Sequence, residues 1–169
     1  MLLPTMITAS RPAAADAAEL YDALSALVRV YQFRDRDRIC CHDVSVTQCY
    51  AMEALLKLGS CTLNALAAEL YLDKSTASRV ATVLQRKGYV SRRPDPDDAR
   101  AMRLDLTPAG RRLHDRIRAE LVAEQAAMIE DLGPAVRQGA VVLLRRLSAS
   151  AAARSGLEPG VGCATGHCG

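Results

Sequence analysis

The sequence has no tryptophan and only one phenylalanine, Phe33, and aromatic residues make up 4% of its 169 positions. Alanine and leucine are left to build the core, which suits an all-helical protein, and the length is enough for one domain with a sizeable interior. No run of about 18 apolar residues occurs, so no membrane span is expected. The N-terminus lacks a basic region followed by an apolar one. No secretory signal is therefore expected, and the expected compartment is the cytoplasm. No nucleotide-binding loop, catalytic dyad or paired carboxylates stand out, and Asp97-Asp98 reads as turn chemistry, so an enzyme is not expected. There is no Cys-x2-Cys pair of the kind structural zinc sites use. The net charge is +3, too small to argue for nucleic acid unless that charge is placed.

It is placed. Between Thr62 and Leu70, the residues Leu63, Leu66, Ala67 and Leu70 fall at i, i+3, i+4, i+7 and make one apolar stripe of a short helix. Tyr71-Leu72 turns the chain, and Asp73 is a good N-cap for a second helix from Lys74 to Lys87. On that helix Ala77, Val80, Ala81 and Leu84 share one side. Ser75, Ser78, Arg79, Thr82 and Arg86 share the other, within roughly 100° of arc. The polar side carries no acid and mixes small hydroxyls with arginines. Such a face can approach a DNA major groove closely, with arginines long enough to reach guanine edges or phosphates.

Gly88 suits the position that ends this helix. Tyr89 to Arg92 reads as a strand, Pro94 to Arg100 as a tight charged hairpin loop, and Met102, Leu104 and Leu106 alternate as in a half-buried strand. Helix, turn, helix and two-stranded ribbon is the order of a winged helix-turn-helix. Within Leu72 to Leu113 three marks follow in order: Lys87-Gly88 ending the second helix, Asp98-Ala99-Arg100 in the wing, and Leu106-Thr107-Pro108-Ala109-Gly110 opening the next helix. This stretch resembles the DNA-binding core of the MarR family of bacterial transcription regulators, and the helical pattern from about Leu20 to Ala153 fits that family's layout. The resemblance implies a homodimer that places two recognition helices on a near-palindromic double-stranded DNA operator. The residues expected to meet DNA are Lys74, Ser75, Thr76, Ser78, Arg79, Thr82, Arg86, Arg92 and Arg100, with Arg100 at the wing tip reaching a minor groove. Asp98 is expected to hold the wing by pairing with Arg100 or another wing arginine.

The expected fold is mainly α, a winged helix-turn-helix with long N- and C-terminal dimerisation helices. Residues 1–15 read as a flexible arm and 16–153 as a single domain. Within it the winged helix spans about 46–106, and the dimerisation helices about 16–38 and 107–153. Ser45 is the expected N-cap of a helix from Val46 to Leu58, and Cys61-Thr62 a short strand beside the wing. Thr107 and Pro108 start a long helix that stops at Gly133-Pro134. The last helix, about Ala135 to Ala153, is too apolar for the surface of a monomer and should interlock with a second copy. His114, alone on a helix face, is expected to be solvated.

The cysteines set the chain apart. Six occur where a reducing compartment is expected, which favours metal or thiol chemistry over a disulfide framework. Cys40, Cys41 and Cys49, with His42, surround the junction of the first two long helices. Cys163 and Cys168, with His167, sit in a glycine-rich tail, 154–169, that offers no core to bury them. Cys49 lies on an apolar stripe and could simply be core. Thiolates select soft or borderline ions: zinc, copper(I), mercury(II) or arsenic(III), or an iron-sulfur cluster if four cysteines join. The expectation is a repressor whose operator binding is controlled by such an ion. The alternatives are oxidant or electrophile sensing by the same thiols, or a small aromatic ligand.

Overall fold

The computed structural model describes residues 13–96, 101–154 and 156. The order of elements is α1 (Ala13–Cys40), α2 (Val46–Leu58), β1 (Cys61–Thr62), α3 (Leu63–Glu69), α4 (Lys74–Arg86), β2 (Val90–Pro94), β3 (Met102–Leu106), α5 (Pro108–Met128) and α6 (Pro134–Arg154). The chain divides between Arg38 and Ile39 into two compact units.

The first unit is α1 up to Arg38. It starts at Ala13, three residues before the expected Asp16, because Ala13-Ala14-Ala15 are strong helix formers. The remainder of the expected arm, and all of the tail except Arg154 and Gly156, lie outside the described residues. Arg34 lies over the Tyr31 ring at 3.9 Å and donates to Asp35 at 2.6 Å.

The second unit begins with the last turn of α1, where Ile39 is buried in its core. Around it pack Met52 and Leu55 of α2, Leu66 of α3, Leu84 of α4, Leu104 of β3 and Ile117 of α5. Each such side chain contributes about 1.5–3 kcal/mol when fully buried. Local chemistry sets the helix starts. Ser45 and Gln48 form a reciprocal capping box on α2, Thr62 caps α3, Asp73 caps α4 and Thr107 caps α5 with Pro108 behind it. The α3–α4 turn places Tyr71 in the left-handed region at φ 53°, and Leu72 N–H returns to the Ala67 carbonyl.

The three strands form one antiparallel sheet in the order β1-β3-β2, with Cys61 opposite Leu104 and Val90 opposite Leu106. The expected alternation of β3 holds only in part. Leu104 is buried and Leu106 half-buried, but Met102 is exposed, because it pairs with Pro94 at the far end of the ribbon, away from the core. Helix α5 stops at Met128, short of Gly133, and a turn fills the gap. His114 corrects the expectation of a solvated side chain. It is buried, because the inward stripe of α5 is Gly110, Leu113, His114, Ile117, the i, i+3, i+4, i+7 set of one face. Helix α6 buries none of its residues within the chain.

Candidate nucleic-acid interface

Helix α4 lays Ala77, Ala81 and Leu84 against the core and leaves Lys74, Ser75, Arg79 and Arg86 exposed, with Thr76, Ser78 and Thr82 half-buried between the two sides. The face is ordered by hydrogen bonds. Asp73 Oδ1 accepts the Thr76 amide at 2.9 Å, and its Oδ2 accepts the Thr76 hydroxyl at 2.6 Å. These bonds, with further ones from Ser75, hold the Asp73 carboxyl well below the usual carboxylate range. Arg79 Nη2 in turn donates to Thr76 Oγ1 at 3.0 Å.

The wing joins this face through Arg92, whose Nη2 donates to Thr82 Oγ1 at 3.0 Å. Arg92 Nε is buried with no hydrogen-bond partner among the described residues. Beside it lies a groove of about 410 Å³ whose lining includes Lys74, Arg92, Leu63, Met102 and Leu104.

Other basic residues of the region are spent on structure. Arg93 pairs with Asp105 at 2.8 Å and reaches Ser60 Oγ at 3.1 Å. Arg103 pairs with the buried Asp95 at 2.9 Å and reaches the Ser60 carbonyl at 3.2 Å. Lys87, the first half of the Lys-Gly pair, pairs with Asp43 Oδ1 at 2.7 Å and donates to the Asp43 carbonyl. The charge presented by α4 and the described wing is thus Lys74, Arg79, Arg86 and Arg92. Arg100 and Asp98 lie outside the described residues. The pairs Asp95–Arg103 and Asp105–Arg93 brace the wing; the sequence held a signal for them only in the alternation of acids and arginines along the ribbon.

The family model for MarR matches residues 42–101. That span holds α2, the helix-turn-helix, β2 and the wing loop. Over that stretch the chain is similar to the MarR family of transcription regulators. YsmB of Bacillus subtilis strain 168, a helix-turn-helix-type transcriptional regulator, is 24% identical over 115 residues, or 68% of this chain and 76% of its own length. A MarR family protein from Bacillus stearothermophilus superposes with a TM-score of 0.75 at 22% identity, over 83% of this chain and 98% of its own. BpsR of Bordetella bronchiseptica, whose DNA binding is regulated by 6-hydroxynicotinic acid, superposes with a TM-score of 0.58 at 25% identity, over 75% and 98%. MarR regulators bind DNA, are typically dimeric and are not enzymes. Among the described residues no helix is long and apolar enough to cross a membrane.

Cys41 is exposed in the turn after α1. Cys49 is 6% exposed and belongs to the core beside Met52 and Leu55. Cys61 is also buried, and burial pushes its thiol up, with Asp105 adding to the effect and Arg103 opposing it. Cys40 ends α1 and its side chain lies outside the described ones, as do Cys163 and Cys168. No group of three or more His, Cys, Asp or Glu able to hold a metal ion is found among the described residues. The loop carrying Cys41 has bonds in two directions: His42 Nε2 meets Glu120 Oε2 of α5 at 2.7 Å, and Asp43 holds Lys87 at the end of α4 while Tyr89 O–H donates to Asp43 Oδ2 at 3.4 Å.

Proposed function

We propose that the protein is a homodimeric transcriptional repressor that binds a near-palindromic operator through α4 and the wing, and that a thiophilic metal or metalloid ion bound by cysteine thiolates controls that binding. The acid-free face of α4 carries this reading. It presents Lys74, Arg79 and Arg86 and is joined by Arg92, while Arg93, Arg103 and Lys87 are matched by acids. Charge left unmatched on one face is what a phosphate backbone requires.

Control is assigned to the turn between α1 and α2. Cys41 is adjacent to His42 and Asp43, whose bonds run to α5 and to the end of α4. Ligation of Cys40 or Cys41 together with the tail thiols Cys163 and Cys168 would pull on both bonds at once. Cys49 would join only by leaving the core. Arsenic(III), with its need for three thiolates, suits such a set, and zinc, copper(I), mercury(II) and an iron-sulfur cluster are the other thiolate ligands. Coupling of this kind is typically worth about 1–3 kcal/mol, roughly 5- to 150-fold in affinity.

The test is fluorescence anisotropy of reduced protein on a duplex selected from a random pool, titrated with arsenite, zinc, copper(I) and mercury(II). One ion should release the duplex, and the release should be lost in Cys41→Ser and in a chain ending at Gly162. Tight duplex binding that no ion alters would overturn the metal half of the proposal and leave the DNA half standing. A second reading, a small aromatic acid as effector, is favoured by the groove beside Arg92, where a carboxylate would satisfy the orphaned Nε, and by the regulation of BpsR by 6-hydroxynicotinic acid.

A further inference from the structure

Three arginines on or beside α4 donate to side chains, and the manner differs. Arg93 meets an acid directly and is neutralised by it. Arg92 donates to the Thr82 hydroxyl, and among the described residues no hydrogen bond links that hydroxyl onward to an acid. Arg79 donates to Thr76, and Thr76 is itself bonded to the Asp73 carboxylate.

The spacing i, i+3, i+6 sets Asp73, Thr76 and Arg79 along one side of the helix. A carboxylate can only accept, so the Thr76 hydroxyl proton is committed to Asp73 Oδ2 at 2.6 Å. The hydroxyl's lone pairs are thereby turned to the next donor, Arg79 Nη2, at 3.0 Å. A threonine in a helix divides between two side-chain rotamers, and the carboxylate selects the one that serves Arg79. The guanidinium is oriented without a direct ion pair, and one of its five N–H donors is used.

We propose that Asp73 and Thr76 are positioning residues that make Arg79 a reader of guanine, fixing one base of each half-site. The proposal rests on α4 being the recognition helix. A phosphate contact would not need this arrangement, since a point charge on a flexible stem suffices there. An ordered planar fork matters when two donors must meet guanine O6 and N7 together.

The experiment uses the full-length chain. A duplex is selected from a random pool with the wild type, and each base pair of a half-site is then replaced in turn. Affinities are read by anisotropy for the wild type, Arg79→Lys, Thr76→Val, Thr76→Ser and Asp73→Asn, with helical content checked by circular dichroism. The wild type should favour guanine at one position by roughly 5- to 150-fold. Arg79→Lys should abolish that preference alone. Thr76→Val and Asp73→Asn, the latter keeping a good helix cap, should each weaken it roughly 2- to 10-fold and leave other positions unchanged. Thr76→Ser should restore it. An unchanged guanine preference in Thr76→Val and Asp73→Asn, or an equal loss at every position, would overturn the proposal. A wild type that selects no sequence would instead overturn the reading of α4 as a recognition helix.

Discussion

Gly110 is where the start of α5 passes close against the backbone of Tyr89. It lies in the first turn of α5, and a Cβ there would collide with the Tyr89 carbonyl oxygen and come within 2.8 Å of Leu106 Cδ1. That carbonyl already accepts the Thr107 amide at 3.0 Å, so neither side can retreat. Alanine normally favours a helix over glycine by about 1 kcal/mol. At Gly110 crowding should win, and Gly110→Ala should lower stability by about 1–3 kcal/mol in urea denaturation. Gly139, with nothing within 4 Å of the same added atom, should show the opposite sign, Gly139→Ala raising stability by up to about 1 kcal/mol. The glycine of the Leu-Thr-x-x-Gly pattern was visible in the sequence; its reason was not, because Tyr89 is distant along the chain. The same holds for His114, whose burial follows from the phase of the α5 stripe against the core.

At the scale of elements, the wing depends on opposed charges. Arg93 and Arg103 are direct partners across the β2–β3 ladder, an arrangement of like charges that would push the strands apart. Asp105 and Asp95 each take one of them. The Arg93 guanidinium, foremost through its hydrogen bond, holds the Asp105 carboxyl below its ordinary value. A carboxyl lowered on folding contributes stability that is fully present above its unfolded value of about 3.9 and is lost as pH falls through its lower folded value. Asp105→Asn should therefore melt below the wild type at neutral pH, with the gap closing under strong acid, as followed by circular dichroism. The ribbon itself was legible from alternation. Which acid meets which arginine was not, because register is set by pairing across the ladder: the sequence pointed to Asp98, and the described pairs are formed by Asp95 and Asp105.

For the whole molecule, α6 is a helix that buries none of its residues within the chain. Val136, Val141, Val142, Leu143 and Leu144 are all exposed, Val142 at 67%. An exposed apolar row of this extent marks a surface for another protein. MarR regulators are typically dimeric, and the expected outcome is a dimer for the full chain in sedimentation and a monomer for a chain ending at Gly133. Because two half-sites act together, the shortened chain should lose roughly 100-fold or more in operator affinity.

What the sequence determined by itself was local. Period-3.6 stripes, caps at Ser45, Thr62, Asp73 and Thr107, and the alternation around Leu104 depend on neighbours within a few residues, so α2, β1, α4 and the start of α5 were placed almost to the residue. The acid-free face of α4 was local in the same sense. Only the tertiary structure decided which charges remain for a partner. Lys87 is matched by Asp43 from a loop 44 residues earlier, Arg103 by Asp95 and Ser60, and Cys49 by a core assembled from seven other elements. Those outcomes depend on which side chains meet across long chain separations, and spacing along one helix or strand carries no information about that.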